Sequence, residues 1–269
     1  MIPKIIHYCW FGKSKMPKSQ RNCIKRWKKL MPDYEFMLWN EKSFDIDFCA
    51  FTSAAYKKGK YAYVSDVARL CALQKYGGIY LDTDVDVFVR YDDFLKYDFF
   101  TGIELYPEFY SDNIVEKYLN NDHSPIDPSE DVPKCEILTS TIGAVPGCKV
   151  ISEVLDYFIK ISMTQEMIDN FRDFYNYDRM FARYLTKYGF KYVDRTQILV
   201  ENMIVFGTGT FGYKWSANPE YTVSFHHNAM TWDMDSWDNH TKKEYMFDRL
   251  GLLRLYKVFK RFKNQIWNR

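Results

Sequence analysis

A double glycine separates a helical pattern from a short apolar strand within residues 63–89, and this stretch constrains the fold more than any other part of the chain. Val67 and Leu70 recur at helical spacing before the glycines, and residues 79–81 form a β-favouring run after them. Because glycine takes the left-handed conformation at low cost, Gly77 predicts the C-terminus of the helix. The succession of helix, turn and strand predicts an α/β domain.

The predicted helix carries an acid and a base near its start. Ser65 is a favourable N-cap residue, so Asp66 would lie in the first turn, where a negative charge suits the helix dipole. Arg69 follows Asp66 by three residues, which places both side chains on one face of the helix. Most pairs at this spacing are ordinary ion pairs on a protein surface, and that is the alternative to a binding role.

Three aspartates follow the strand at alternate positions, namely Asp82, Asp84 and Asp86. In an extended chain, side chains two residues apart share a face, so the three carboxylates are predicted to point the same way. Carboxylates this close repel one another, and a divalent cation removes that repulsion. Their oxygens suit Mg²⁺ or Mn²⁺, which commonly bridge to the phosphates of a substrate. A D-x-D triplet alone is more often a solvated strand edge, but the apolar strand and double glycine before it favour a metal site.

The two ends of the chain supply further candidates. Residues 3–10 predict a first strand whose C-terminal end lines a ligand crevice, where Trp10 would stand; a core position for this ring is the alternative. Residues 221–225 predict a late strand that leads to His226 and His227. Imidazole is a ligand that Mn²⁺ accepts, whereas two polar histidines at the mouth of a loop would explain the same spacing.

Three segments of the sequence together resemble one family. The opening IPKIIHYCWFG, the central SDVARLCALQKYGGIYLDTDV and the late HHNAMTW are similar to the motifs of glycosyltransferase family thirty-two, and they fit best its bacterial capsule and surface-polysaccharide branch. A more distant similarity is to the glucosyltransferase domains of large clostridial toxins. Residues 105–135 and 205–220 have no clear counterparts. The resemblance implies a single α/β domain over residues 1–250, of the GT-A type: a nucleotide-sugar-binding, Rossmann-like domain with a mixed, mostly parallel central sheet.

The resemblance also implies an activity. The family is retaining, so the chain is expected to be a hexosyltransferase that moves a hexose from a nucleotide sugar to a saccharide or lipid-linked saccharide acceptor in surface-polysaccharide synthesis. The implied cofactor is Mn²⁺ or Mg²⁺, bound by Asp84 and a histidine, with His227 favoured over His226. Asp82 would bind ribose or a metal-bound water. Asp86 would be either a more distant neighbour of the metal or a replacement for Asp84.

The same resemblance assigns a donor site. Asp66 and Arg69 would hold the hydroxyl groups of the donor sugar, and Trp10 would stack on uracil, which favours a UDP-sugar and leaves a GDP-sugar open. Trp232 would contact the leaving diphosphate or the sugar. The expected donor-binding residues are Trp10, Ser65, Asp66, Arg69, Tyr80, Asp82, Thr83 and Trp232, and the expected catalytic residues are Asp66, Arg69, Asp82 and Asp84. No residue is an obvious nucleophile, so we expect a front-face transfer in which the leaving phosphate takes the proton of the acceptor hydroxyl.

Composition bears on partners and location. The net charge of +2 gives no field that would mark the protein for nucleic acid. The six cysteines are scattered without a C-x-x-C pair, and no signal peptide or membrane-spanning stretch is evident, which favours a cytoplasmic protein with reduced thiols. Residues 251–269 combine an apolar stripe with many basic residues and predict an amphipathic helix. This helix would either contact the inner face of the membrane or pack back onto the domain.

Two other functions would also use clustered acids and histidines. A metal-dependent phosphohydrolase needs such a cluster but has no need of a tryptophan at the end of the first strand. A non-catalytic nucleotide-sugar-binding module would keep the fold and the binding residues without turnover. Both are alternatives to the transferase.

Overall fold

The computed structural model describes residues 1–111, 113–213 and 220–227, which form an α/β arrangement. The strands are β1 (Ile5–Cys9), β2 (Glu35–Trp39), β3 (Gly78–Leu81), β4 (Val85–Val87), β5 (Phe99–Leu105), β6 (Cys135–Ile137), β7 (Thr141–Ala144), β8 (Gln197–Ile198), β9 (Met203–Phe206), β10 (Phe211–Tyr213) and β11 (Ser224–His226). The helices are α1 (Lys18–Leu30), α2 (Ala50–Lys57), α3 (Tyr61–Tyr76), α4 (Glu108–Ser111), α5 (Ile114–Tyr118), α6 (Lys149–Lys160), α7 (Gln165–Asp169), α8 (Phe171–Phe174) and α9 (Tyr177–Thr186).

Most of the strands form one large sheet. Its order is β2-β1-β3-β7-β5-β9-β8, and β6 is attached to β5 off this path. β1 pairs in parallel with β2 and β3, and β5 pairs in parallel with β9, whereas β6, β7 and β8 are antiparallel to their neighbours. Because β7 is antiparallel to both β3 and β5, the strands β1, β2, β3, β5 and β9 all run in one direction. The predicted α/β class with a mixed, mostly parallel central sheet is therefore confirmed.

Helices cover both faces of this sheet, and β3 shows how its side chains divide between them. Ile79 and Leu81 belong to the core on the α1 side, whereas Tyr80 belongs to the core formed with α2, α3, α6 and α9. This alternation is what an extended chain requires. All three side chains are buried, so β3 is an inner strand that is apolar on both faces.

The aspartate segment leaves the main sheet immediately after β3. The amide of Val85 donates to the carbonyl of Asp82 at 3.0 Å, so the chain turns over residues 82–85 and enters a second sheet as β4. That small sheet has the order β10-β11-β4, with β4 antiparallel to β11. The prediction that Asp82, Asp84 and Asp86 share one extended face is therefore wrong, because the first two lie at the turn and the third lies on β4.

Helix α3 begins at Tyr61, earlier than predicted. Ser65 is not its N-cap but an internal residue, and its hydroxyl donates to the carbonyl of Tyr61 at 3.1 Å. The buried side chain of Val64 belongs to the same apolar surface, so packing rather than a capping hydroxyl decides where the helix starts. At the other end, Gly77 has a φ of +60° and terminates the helix as predicted.

Two other predicted strands are present with shifted bounds. The first strand, predicted over residues 3–10, is β1, and the late strand, predicted over residues 221–225, is β11.

Some predictions lie outside the described residues, namely those for Trp232 and for the C-terminal helix over 251–269. Within the described part of the chain, no helix has the length and apolar character needed to cross a membrane. All six cysteines are free thiols in the structure, and five of them are buried.

Candidate functional site

Asp82, Asp84 and His226 form a cluster, here called the acid–histidine cluster, where the turn after β3 meets β11. The antiparallel pairing of β11 with β4 sets His226 opposite Val85, directly beside the turn. The Nε2 atom of His226 lies 3.1 Å from Oδ1 of Asp84 and 3.7 Å from Oδ2 of Asp82. Each residue offers one ligand atom, and these atoms lie within 4.8 Å of one another. Two carboxylates and an imidazole at this spacing fit a divalent cation.

The acid–histidine cluster holds a proton where a cation could bind. Burial opposes a charge on His226, but the carboxylates of Asp84 and Asp82, together with the charge of Glu104, raise its pKa to about 9. The ring is therefore an imidazolium at neutral pH, and its charge partly balances the two aspartates. A divalent cation would supply the same balance once His226 gives up its proton, so this donor set fits a metal ion.

His227 belongs to a different cluster. Its amide donates to the carbonyl of Asp84 at 3.1 Å, while its ring Nε2 lies 2.7 Å from Oδ2 of Asp86. Arg26 on α1 also binds the carboxylate of Asp86. Successive side chains along a strand point to opposite sides, which is why the two histidines diverge. The structure thus places His226, and not the favoured His227, beside Asp84, and it keeps Asp86 away from that position.

Asp66 and Arg69 form a buried ion pair on α3, not a surface pair. Nη2 of Arg69 lies 2.8 Å from Oδ1 of Asp66 and 3.5 Å from Oδ1 of Asp82. Nη1 of Arg69 donates to the carbonyl of Thr139 at 2.8 Å. Burial raises the pKa of Asp66 to about 7, against the opposing charge of Arg69. One guanidinium therefore joins helix α3, the turn after β3 and the segment that leads into β7.

Tyr80 directs its hydroxyl to the same turn. The hydroxyl donates to Oδ1 of Asp82 at 2.7 Å, and the guanidinium of Arg69 lies 4.3 Å from the centre of the tyrosine ring. Tyr80 points to the α3 side of the sheet, as the alternation along β3 requires. Because the ring is buried, its hydroxyl holds the Asp82 carboxylate in a fixed position.

Trp10, Ser65 and Thr83 complete the predicted donor set within the described part of the chain. Trp10 follows β1, is partly exposed, and donates from its indole to the carbonyl of Ser14 at 2.6 Å. Thr83 is buried in the turn. None of these contacts identifies a ligand, so the roles of the three residues stay predictions, as does the role of Trp232.

Sequence reasoning did not select Glu104, Thr139 or Asp178, which adjoin this site. Glu104 is buried on β5 and interacts electrostatically with His226. Thr139 accepts from Arg69 through its carbonyl and donates through its hydroxyl to the carboxylate of Asp178. Glu104 could have been selected from the sequence, because it is a carboxylate inside the apolar run of β5. The contact of Thr139 with Arg69 could not, because it is made by a backbone carbonyl, which every residue has.

The central region of the chain matches a family model. Residues 17–100 match the model described as "Glycosyltransferase sugar-binding region containing DXD motif". The matched range includes Asp66, Arg69, Asp82 and Asp84, so it contains both the buried ion pair and the acids of the turn. This part of the chain is therefore similar to the DXD-containing sugar-binding region of glycosyltransferases.

Two curated relatives are inositol phosphoceramide mannosyltransferases of Schizosaccharomyces pombe (strain 972 / ATCC 24843). Mannosyltransferase 3 is 38% identical over 107 residues, which are 36% of this chain and 28% of that protein. Mannosyltransferase 2 is 34% identical over 106 residues, which are 36% of this chain and 29% of that protein. The chain therefore spans less than a third of the length of the curated relatives that it matches.

Solved structures of similar shape include glycosyltransferases. The galactosyltransferase LgtC, in complex with donor and acceptor sugar analogs, is 13% identical with a TM-score of 0.44, over 89% of this chain and 94% of that chain. The PaToxG glycosyltransferase is 19% identical with a TM-score of 0.38, over 69% of each chain. Because both scores are below 0.5, the fold assignment rests on the strand order and directions given above.

Proposed function

We propose that the chain is a metal-dependent, retaining glycosyltransferase of the GT-A type, from the bacterial branch of family thirty-two, which moves a hexose from a nucleotide sugar to a saccharide or lipid-linked saccharide. The observation that carries the proposal is the acid–histidine cluster, joined through Asp82 to the buried pair of Asp66 and Arg69. A cation-binding cluster beside a fixed guanidinium suits a substrate that combines a diphosphate with a hydroxyl-rich sugar.

The metal ion of the proposal is Mn²⁺ or Mg²⁺, and Asp82, Asp84 and His226 would hold it. When bound, such a cation supplies electrostatic neutralisation of a leaving diphosphate. The chain contributes the placement of the ligands, because the turn over residues 82–85 fixes both carboxylates and Tyr80 binds one of them. His226 must lose its proton on metal binding, since a ligating imidazole is neutral.

Arg69 and Asp66 are the groups that we propose for the hydroxyls of the donor sugar. Arg69 contacts Asp66, Asp82 and the carbonyl of Thr139 together, so its planar group of donors is oriented before any substrate binds. With a pKa of about 7, Asp66 exists in both protonation states near neutral pH and can accept or donate a hydrogen bond. A group that is already oriented favours transfer, because no ordering is needed during the reaction.

The donor and the location are inferred from residues at the two ends of the chain and from the relatives. Trp10 at the end of β1 favours a uracil base, since its partly exposed indole can stack on one. The similarity to two mannosyltransferases supports mannose as the hexose, so GDP-linked sugars are included in the test below.

We place the protein in the cytoplasm, where it would act in surface-polysaccharide synthesis. The basic residues of 251–269 would contact the inner face of the membrane.

The test is the release of nucleoside diphosphate from a panel of UDP- and GDP-linked hexoses, with Mn²⁺, Mg²⁺ or EDTA. We expect release from one of these donors, dependent on a divalent cation. Asp84→Asn should lower the rate roughly 10²-fold or more, because it removes a charge that binds the cation. Asp86→Asn is the matched control, since it makes the same change two residues away in the other cluster and should keep most of the rate.

Other outcomes would favour the alternatives. Hydrolysis of nucleoside monophosphates, with inorganic phosphate as the product, would favour a phosphohydrolase. Saturable binding of a nucleotide sugar without turnover in any acceptor mixture would favour a binding module. Equal losses of activity in Asp84→Asn and Asp86→Asn would contradict the acid–histidine cluster as the metal site.

A further inference from the structure

Arg69 connects the acid–histidine cluster to a second group of polar side chains. Its Nη1 donates to the carbonyl of Thr139 at 2.8 Å, and the hydroxyl of Thr139 donates to the carboxylate of Asp178 in the first turn of α9. The guanidinium also lies 5.3 Å from the centre of the ring of Tyr177. Asp178 keeps part of its surface exposed.

Two tyrosines near Asp178 have buried hydroxyl groups. Tyr175 is 8% exposed and Tyr177 is 5% exposed, and in the described ranges neither hydroxyl has a hydrogen-bond partner. Both hydroxyls interact electrostatically with Asp66 and Asp178. A buried hydroxyl without a partner has lost the hydrogen bonds that water gave it, and a ligand hydroxyl beside it would restore one.

The surroundings of Asp178 are acidic. Glu104 on β5 lies opposite Glu136 on β6, and Asp178 interacts with both. Arg179 pairs with Glu136 at 2.6 Å, and the hydroxyl of Tyr106 donates to Glu104. Burial and the two glutamates raise the pKa of Asp178 well above its usual range, so its carboxyl group can donate a hydrogen bond. An anion would be repelled here, whereas a sugar hydroxyl can pair with both carboxyl and phenol groups.

We propose that Tyr175, Tyr177 and Asp178 line a subsite that binds hydroxyl groups of the acceptor sugar, and that the sugar bound there carries no negative charge. The inference rests on the proposed transferase function and deepens it. The donor diphosphate needs the cation of the acid–histidine cluster, and the pair of Asp66 and Arg69 is assigned to the donor sugar. Tyr175, Tyr177 and Asp178, which Thr139 links to Arg69, are therefore the polar residues that remain to bind the acceptor sugar. A subsite in contact with Arg69 would bring the acceptor hydroxyl close to the donor sugar.

The test compares Tyr175→Phe and Tyr177→Phe with Tyr34→Phe. Tyr34 is the matched control because its hydroxyl is also buried and has no partner among the residues that the structure describes. It lies in the core on the α1 side of the sheet. Each variant loses one hydroxyl and keeps its ring, so the melting temperature should not fall. Two rates are measured for each protein: hydrolysis of the donor without acceptor, and transfer to methyl glycosides of glucose, galactose, mannose and glucuronic acid.

We expect Tyr34→Phe to keep the rate of donor hydrolysis, and in Tyr175→Phe and Tyr177→Phe we expect transfer to be impaired more than donor hydrolysis. For transfer to a neutral glycoside, the acceptor KM should rise roughly 3- to 10-fold in Tyr175→Phe and in Tyr177→Phe, as the loss of one hydrogen bond predicts. The same KM should not change in Tyr34→Phe. The glucuronide should be a poor acceptor for the unsubstituted protein, because the acidic surroundings repel its carboxylate.

Three results of the kinetic measurements would overturn the inference. Equal losses of hydrolysis and transfer would place the two hydroxyls at the donor sugar. An unchanged acceptor KM would mean that the hydroxyls bind buried water and not the acceptor. Efficient transfer to the glucuronide would contradict the preference for an uncharged sugar.

A second measurement applies if the unsubstituted protein hydrolyses no donor. The proposed function then fails, and saturation-transfer NMR with the same glycosides tests the subsite by itself. A signal that is lost in Tyr177→Phe and kept in Tyr34→Phe supports the subsite, and no signal at all overturns it.

Discussion

Nε2 of His226 lies 3.1 Å from Oδ1 of Asp84, whereas the ring of the next residue, His227, lies 2.7 Å from Asp86. The two consecutive histidines thus belong to two separate clusters. The antiparallel pairing of β11 with β4 determines which ring lies in which cluster. The first cluster contains both acids of the turn and adjoins Arg69. Matched substitutions in the two clusters can therefore separate binding of a metal ion from general effects on the fold.

The His226 imidazolium predicts that the stability of the metal-free protein depends on pH. Burial opposes the charge, but the carboxylates of Asp84 and Asp82 raise the pKa to about 9 in the folded state. The pKa of an unfolded histidine is about 6.5, so the folded state binds this proton more tightly. The contribution to stability is then complete below about pH 6.5 and is lost as the pH rises through about 9. In EDTA, we expect the free energy of unfolding from urea denaturation to fall by on the order of 1–3 kcal/mol across this range.

Two histidine variants test the origin of this dependence of the free energy of unfolding on pH. His226→Gln should remove the contribution, because the amide cannot be protonated. His227→Gln should keep it, because the ring of His227 contacts the other cluster. A slope of unchanged size in His226→Gln would show that another group is responsible.

A second prediction is that Mn²⁺ stabilises the fold through the acid–histidine cluster. A ligand that binds only the folded state adds about 2.7 kcal/mol at a concentration of 100 Kd. Because the cation takes the place of the His226 proton, the rise in melting temperature should increase with pH over the range in which His226 loses that proton. Asp84→Asn should abolish most of the Mn²⁺-dependent shift in a thermal melt, and Asp86→Asn should retain it. The opposite pattern would assign the metal to the cluster of His227.

The elements around the double glycine were predictable because their determinants are local. The conformation of Gly77 ends the helix, and the alternation along β3 places Tyr80 on the side of α3. The turn over residues 82–85 was not predictable, since acids that alternate with apolar residues have the period of a strand. A single backbone hydrogen bond, from Val85 to Asp82, redirects the chain and separates Asp86 from the other two acids.

The pairing of acids with histidines depends on contacts that are distant in sequence. His226 and Asp84 are 142 residues apart, and the register between β11 and β4 decides which histidine reaches the turn. Neighbouring histidines give no local signal for that choice, because a shift of one residue exchanges the faces of a strand. The contact of Arg69 with Thr139 is equally hidden, since every residue has a backbone carbonyl.

Arg69 should not tolerate replacement by lysine. Arg69 is 4% exposed and bonds to Asp66, to Asp82 and to a backbone carbonyl at the same time, which a lysine ammonium cannot reproduce with the same geometry. We expect Arg69→Lys to lower the rate of donor turnover by about 10²-fold. Loss of a buried partner should also reduce stability by up to about 3–5 kcal/mol, as measured by urea denaturation.

The control for this substitution is Arg90→Lys. Arg90 pairs with Asp33 and Asp92, and all three side chains are more than a third exposed, so this change should have little effect on stability or rate. If Arg69→Lys behaves like Arg90→Lys in both measurements, the guanidinium of Arg69 is not the oriented group that the site requires.

The last prediction concerns Gly77, which joins α3 to β3 and so positions the ion pair relative to the turn. Its φ of +60° is unfavourable for residues with a side chain, and a Cβ there would lie 2.5 Å from Cδ of Pro146 and 2.9 Å from the carbonyl oxygen of Ala144. Gly147 has a similar φ of +72°, but no atom of the described residues would lie within 4 Å of a Cβ there. Gly147→Ala should therefore cost about 1 kcal/mol from backbone strain alone, whereas Gly77→Ala should cost about 3 kcal/mol or more, because β7 must also move. Urea denaturation of both variants measures the difference, and equal losses would show that the contact with β7 relaxes without cost.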